Sequence, residues 1–151
     1  MENYFLQLDT IRESHAVFLA IPADQRMAMI ATVDIATTAA NVLTALPPSG
    51  LRVLELLGPT EYRFDEAAAL IGQAIGKPVK HLQVPPVRMR EAIRGLGASD
   101  DVTDRLVELE AAIASRLMRP EFPRGAEQTT PTTVAEFAKI LAPALAAAGG
   151  A

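Results

Sequence analysis

The stretch Leu51-Arg-Val-Leu-Glu-Leu-Leu-Gly58 constrains this chain most, because apolar residues fall on both of its alternating faces and only Arg52 and Glu55 are charged. Such a strand needs cover on both sides, the setting of a parallel sheet between layers of helices. Two further runs read as strands. Met27–Val33 is bounded by the polar turn Ala23–Arg26 and by Asp34. Val79–Pro85 alternates Val79, His81 and Gln83 against Lys80, Leu82 and Val84, the pattern of a short strand near an edge.

Helical patterns surround these runs. Phe5, Leu6, Leu8 and Ile11 fit a short helix from Asn3 to Ser14. Asp34 is placed to cap a helix in which Ala36, Ala39, Ala40, Leu43 and Leu46 share a face, and Pro47-Pro48 stop it. Asp65 and Glu66 open a helix striped by Ala67, Leu70, Ile71, Ala74 and Ile75, which Gly76 and Pro78 end. Pro86 opens another that closes near Gly95–Gly97, and Ser99 with Asp100 and Asp101 caps a longer one running from Val102 to Leu117. Met118–Gln128 is a loop. The last helix, with Val134, Phe137, Leu141 and Leu145 on its stripe, has two candidate starts: Thr133 with Glu136 at capping-box spacing, or Thr130 followed by Pro131. About three strands alternating with five to six helices make an α/β protein. The strands are few for the helices, and little in the chain is available to flank the two that need cover.

The chain is the length of one domain, 151 residues, and half of them are apolar, which suffices for a packed core. A net charge of −4 argues against a nucleic-acid surface. The absence of cysteine excludes disulfides and thiolate-bound zinc. Ala16–Pro22 is too short to span a bilayer, and Glu2 and Asp9 ahead of it do not suit a secretory leader, so the expected location is the cytoplasm, with no membrane partner.

Motifs for chemistry are scarce. Gly72–Pro78 has three residues between its glycines and Pro78 after the lysine, where a phosphate-binding loop has four residues and a hydroxyl, so it reads as a helix end. Gly95–Ser99 starts like a dinucleotide fingerprint but has Asp100 at the third glycine and follows a helix. His15 and His81 have no second metal ligand at suitable spacing. Neither Tyr4 nor Tyr62 has a lysine four residues on, and no serine sits in a strained glycine elbow. Arg88, Arg90 and Arg94 could hold an anion, but a solvated face explains them. No catalytic, cofactor-binding or metal-binding residue can be named from this chemistry.

Taken in order, "MENYF", "VDIATTAANVL", "LELLGPTEYRFDEAAALIGQAIGKPVKHLQVPP" and "TTPTTVAEFAKILAP" resemble the C-terminal half of the NmrA-like family, atypical short-chain dehydrogenase/reductases that bind NAD(P). The resemblance covers nearly the whole chain, and it implies the C-terminal portion of a Rossmann-type NAD(P)-binding fold. Residues 1–151 would then be a substrate-binding half. In the family the glycine-rich pyrophosphate turn lies upstream of "MENYF", so a truncated or mis-started chain, or a fragment of a longer one, is expected. NAD(P) would belong to the full-length protein, and none is expected to bind this chain alone.

The implied activity is NAD(P)H-dependent reduction of a small carbonyl, quinone or related acceptor. The alternatives are a non-catalytic redox-sensing or protein-binding regulatory role, or a gene remnant without function. By position, Asn3, Tyr4 and Phe5 would bind substrate beside the nicotinamide, and the helices from Arg88 to Leu117 would cap the pocket. The plainer readings are a helix cap for Asn3 and core packing for Tyr4 and Phe5. An uncovered strand at Leu51–Gly58 would invite self-association through its edge.

Overall fold

Helices α3 (Phe64–Ile75) and α6 (Val134–Ala147) make the centre of the molecule, in a computed structural model that describes residues 1–45 and 50–147. On α3, Phe64, Ala67, Ala68 and Ile71 recur at helical spacing and are buried; on α6, Val134, Phe137, Ala138, Leu141 and Leu145 do the same. Each set forms one apolar stripe, and the alanines let the two helices approach closely. Phe137 and Ile71 are among the largest fully buried side chains, and burial of such a residue contributes about 1.5–3 kcal/mol.

The ends of both helices follow their sequence signals. The Arg63 N–H donates to the Glu66 carboxylate at 2.9 Å, closing the first turn of α3. Gly76, at φ 69°, ends it in the left-handed conformation that only glycine adopts without penalty. The N–H of Thr133 donates to Glu136 at 2.8 Å, and the Glu136 N–H donates back to the Thr133 hydroxyl at 3.1 Å, so the capping-box start of α6 is the one adopted.

Two small sheets flank this pair. Strand β1 (Ala16–Leu19) runs parallel to β4 (Lys80–Gln83), in register from Ala16–Lys80 to Leu19–Gln83. Strand β2 (Arg26–Met27) pairs antiparallel with β3 (Tyr62–Arg63). Among the described residues there are thus four short strands, six α-helices and one 3-10 helix, Glu2–Gln7. Strand β4 lies within the expected Val79–Pro85. Strand β1 was not expected, and Met27–Val33 is a strand only at its start.

Leu51–Gly58 is the clearest departure. Its residues form no strand; Leu57 alone makes a parallel bridge, to Thr129. A strand exists only where a neighbour accepts and donates its backbone bonds. Here only Leu57 makes backbone–backbone bonds among the described residues, its N–H to the Gln128 carbonyl at 2.7 Å and its C=O from the Thr130 N–H at 2.8 Å, while the Gly58 carbonyl accepts from the Arg124 guanidinium.

Helix α2 (Thr32–Thr44) begins before Asp34, which sits in the first turn rather than at the cap. The Glu2 carboxylate takes the capping position instead, accepting the Thr32 N–H at 2.9 Å. The expected stop at Pro47-Pro48 lies outside the described residues. Helices α4 (Pro86–Gly95) and α5 (Asp100–Ala114) pack on one another beside the end of β1, through Met89, Ile93 and Ala20. The Ser99 hydroxyl caps α5 as expected, accepting the Val102 N–H at 3.3 Å. Helix α1 (Leu8–Ser14) ends at His15, which is left-handed at φ 51°.

Candidate functional site

The 3-10 helix Glu2–Gln7 carries the three residues expected to touch a substrate. Its cap is Met1, so Asn3 does not cap it; the Asn3 side chain is exposed. Tyr4 is buried in the core, its hydroxyl 3.9 Å from Met29 Sδ. Burial pushes the phenol well above its ordinary range, so it stays a neutral O–H against a weak acceptor. Phe5 stands edge-on to Phe137, with ring centroids 5.9 Å apart, and keeps 37% of its surface exposed.

Three buried polar side chains fix the elements around this segment. Glu110 on α5 accepts the Ala20 N–H at 2.5 Å, tying the α4–α5 pair to the end of β1. Burial raises the Glu110 carboxyl above its ordinary value, against the opposing effect of that hydrogen bond. The Nε2 of His81 lies 2.8 Å from the Ile21 carbonyl. A carbonyl can only accept, so Nε2 donates, and Nδ1 is buried without a partner among the described residues. Asp34 accepts both the Thr132 N–H, at 3.1 Å, and the Thr132 hydroxyl, at 2.7 Å.

Sequence reasoning passed over Glu110 and Thr132. A signal for Glu110 existed, since it stands between Leu106 and Ile113 on the stripe α5 turns inward. The arginines of α4 are accounted for by ion pairs: Arg88 with Glu91 at 2.9 Å, Arg94 with Asp100 at 2.9 Å, and Arg90 with Asp104.

Helix α2 is built inside out. Asp34 is its buried residue, whereas Val33, Ile35, Val42 and Leu43 are exposed. With Leu54 and Leu56 opposite, Ile35, Thr38, Ala39, Val42 and Leu43 line an open groove of about 370 Å³. An apolar helix face turned to solvent is the mark of a surface made to be covered.

A nicotinamide dinucleotide would need a pyrophosphate cradle, normally the free N–H groups of a helix N-terminus. The residues present do not fit that need. First turns carry Asp9 in α1, Asp34 in α2, Asp65 and Glu66 in α3, Asp100 and Asp101 in α5, and Glu136 in α6. Helix α4 starts with Pro86, which has no N–H to offer. No group of three or more His, Asp or Glu side chains among the described residues could hold a metal ion, and no described helix is long and apolar enough to cross a membrane.

No protein-family model matches the chain. It is 28% identical to the NAD(P)H azoreductase of Xenophilus azovorans, over 98% of this chain and 52% of that protein. The fold is shared with the triphenylmethane reductase of Citrobacter sp., at a TM-score of 0.69 and 20% identity over 90% of this chain and 47% of that one. It is shared also with the NADPH-dependent quinone oxidoreductase of Escherichia coli, at 0.68 and 23% over 93% and 50%. The chain therefore spans about half the length of the relatives it matches. Its architecture is α/β, and its fold is that of about half of these Rossmann-like reductase chains.

Proposed function

We propose that residues 1–151 act as the substrate-binding half of an NAD(P)H-dependent reductase of the NmrA-like kind, whose acceptor is a quinone, an azo compound or a related flat, reducible molecule. The observation that carries this reading is the inverted helix α2. Its apolar face and the groove against Leu54 and Leu56 offer a seat for a nucleotide-binding half. Residues 51–56, which form no strand and have no ladder partner among the described residues, would join the sheet of that half as a strand. Hydride transfer needs a bound nicotinamide, and the acidic first turns of this chain's helices are poor hosts for its pyrophosphate. The chain alone is therefore inactive and binds no NAD(P).

In this reading the acceptor lies against the 3-10 helix. Asn3 supplies an exposed amide that can hydrogen-bond a carbonyl or azo nitrogen, and Phe5 a ring face for stacking. Tyr4 is the anchor that holds both in place through its buried contact with Met29. The helices α4 and α5, held to β1 by Glu110, form the cap.

The test is reconstitution. NADPH and NADH are titrated into the chain alone, and then into the chain mixed with the nucleotide-binding half of the azoreductase. The expected result is no binding by the chain at millimolar cofactor, and acceptor-dependent NAD(P)H oxidation by the mixture. Saturable micromolar binding by the chain alone would sink the proposal. A tight complex of the two halves that turns over no acceptor would replace it with a regulatory role.

A further inference from the structure

A second hollow lies between the C-terminal ends of α1, α3 and α6. It measures about 550 Å³, within the range of small-molecule sites. Its floor is apolar, made by Ile11, Ala74, Ile75, Pro143 and Leu145, and its rim is basic, made by Arg12, His15, Lys77 and Lys139. No aspartate or glutamate lines it, although acidic residues outnumber Lys and Arg by 18 to 14 in the chain.

Basic side chains commonly gather where helices end, because the C-terminal carbonyls carry partial negative charge. That role accounts for Arg12, whose Nε donates to the Leu145 carbonyl at 3.4 Å and whose guanidinium pairs with Asp9 at 2.9 Å. It does not account for the others. The end of α3 is satisfied by backbone alone: the Gly76 N–H bonds to Gln73 and Gly72, and the Lys77 N–H bonds to Gly72 at 3.0 Å. The end of α1 is closed by the His15 N–H on the Ile11 carbonyl at 3.2 Å. Among the described residues, Lys77, Lys139 and the His15 ring make no ion pair and no side-chain hydrogen bond.

We infer that this hollow binds a small amphipathic anion, with the carboxylate, sulfonate or phosphate head held by Lys77, Lys139 and His15 and the apolar body lying on Ile11, Ile75 and Leu145. The inference does not depend on the proposed reductase role. The hollow shares no lining residue with the α2 groove, and none with the Asn3–Phe5 segment.

The probe is octanoate, titrated into the full chain by calorimetry, with octanol and octylamine as neutral and cationic controls of the same body. Octanoate should bind saturably and the two controls at least about tenfold more weakly, since two exposed charge contacts together supply about that much. The double substitution Lys77→Ala with Lys139→Ala should weaken octanoate about tenfold and leave octanol unchanged. Both side chains are exposed, and the thermal unfolding midpoint of the variant confirms that it folds. Equal binding of octanoate and octanol, or octanoate binding unchanged in the variant, would overturn the site. So would binding to phosphatidylglycerol vesicles with none to octanoate, which would make the rim a lipid-surface contact instead.

Discussion

The carboxylate of Asp34 holds Thr132 by two hydrogen bonds, 2.7 Å from its hydroxyl and 3.1 Å from its N–H, across 98 residues of sequence. This clasp joins the exposed helix α2 to the residue that precedes the cap of α6. Helix α2 depends on it, because it buries little else.

Removing the carboxylate leaves two donors in a half-buried site without an acceptor. Asp34→Ala should therefore destabilise the fold by about 1–3 kcal/mol, as expected for orphaned polar groups. Asp34→Asn keeps one acceptor oxygen and should cost less than half of that. Urea denaturation of the three proteins checks the order; equal stabilities would show that the clasp contributes nothing.

Glu110 sets a pH dependence. Its carboxyl is raised above the ordinary 4.5 by burial, with the Ala20 N–H working against the rise. Between 4.5 and the raised value the folded state holds a proton that the unfolded state has released, so stability falls as pH increases through that window. Glu110→Gln never ionises and still offers Ala20 an acceptor. Across about pH 4 to 8 the variant should gain on the parent as pH rises. Parallel stability curves would refute the burial argument.

Two glycines should lose stability to different degrees, and for different reasons, on the same change. A Cβ on Gly58 would stand 1.8 Å from the Met29 carbonyl oxygen, a backbone atom that cannot move aside. Gly58→Ala should cost about 3 kcal/mol or more and lower the yield of folded protein. A Cβ on Gly76 meets nothing within 4 Å, but its φ is +69°. Gly76→Ala should cost only about 1–2 kcal/mol, the left-handed penalty, as read from thermal denaturation.

Leu43 separates stability from assembly. It is 76% exposed, so Leu43→Glu should change stability by less than about 0.5 kcal/mol. In the reconstitution with a nucleotide-binding half the same substitution should abolish NAD(P)H oxidation. Full activity of the variant would show that the α2 groove is not the seat.

What was legible in the sequence was local. Helix α3 announced itself through Asp65 and Glu66 at one end and Gly76 with Pro78 at the other, and α6 through the reciprocal bonds of Thr133 and Glu136. What was not legible depended on distant partners. Ala16–Leu19 is too short and too uniformly apolar to show alternation, and it is a strand because Lys80–Gln83 lies beside it. Leu51–Leu56 has every local mark of a buried strand and is none, since alternation supplies side-chain faces but no backbone partner. In the candidate site the position of Asn3–Phe5 came from resemblance. The burial of Tyr4 agrees with the plainer reading of core packing, but its contact with Met29 is one that no spacing encodes. Arg12, His15, Lys77 and Lys139 are scattered along the chain and meet only through the ends of three helices.

The pairing of α3 with α6 also governs how the chain is made. The stripe of α3, Phe64 to Ile71, is synthesised well before Val134–Leu145, which cover it. Strand β1 likewise waits for β4. A nascent chain on the ribosome therefore carries a helix whose α6-facing stripe stays open until translation has passed Leu145, although Tyr4, Ile11, Val17, Ile21 and Val79 of the same core are made earlier. Such chains fold slowly and aggregate readily. Recovery in expression should accordingly depend on holdase chaperones and on growth temperature more than on the stability of the finished fold.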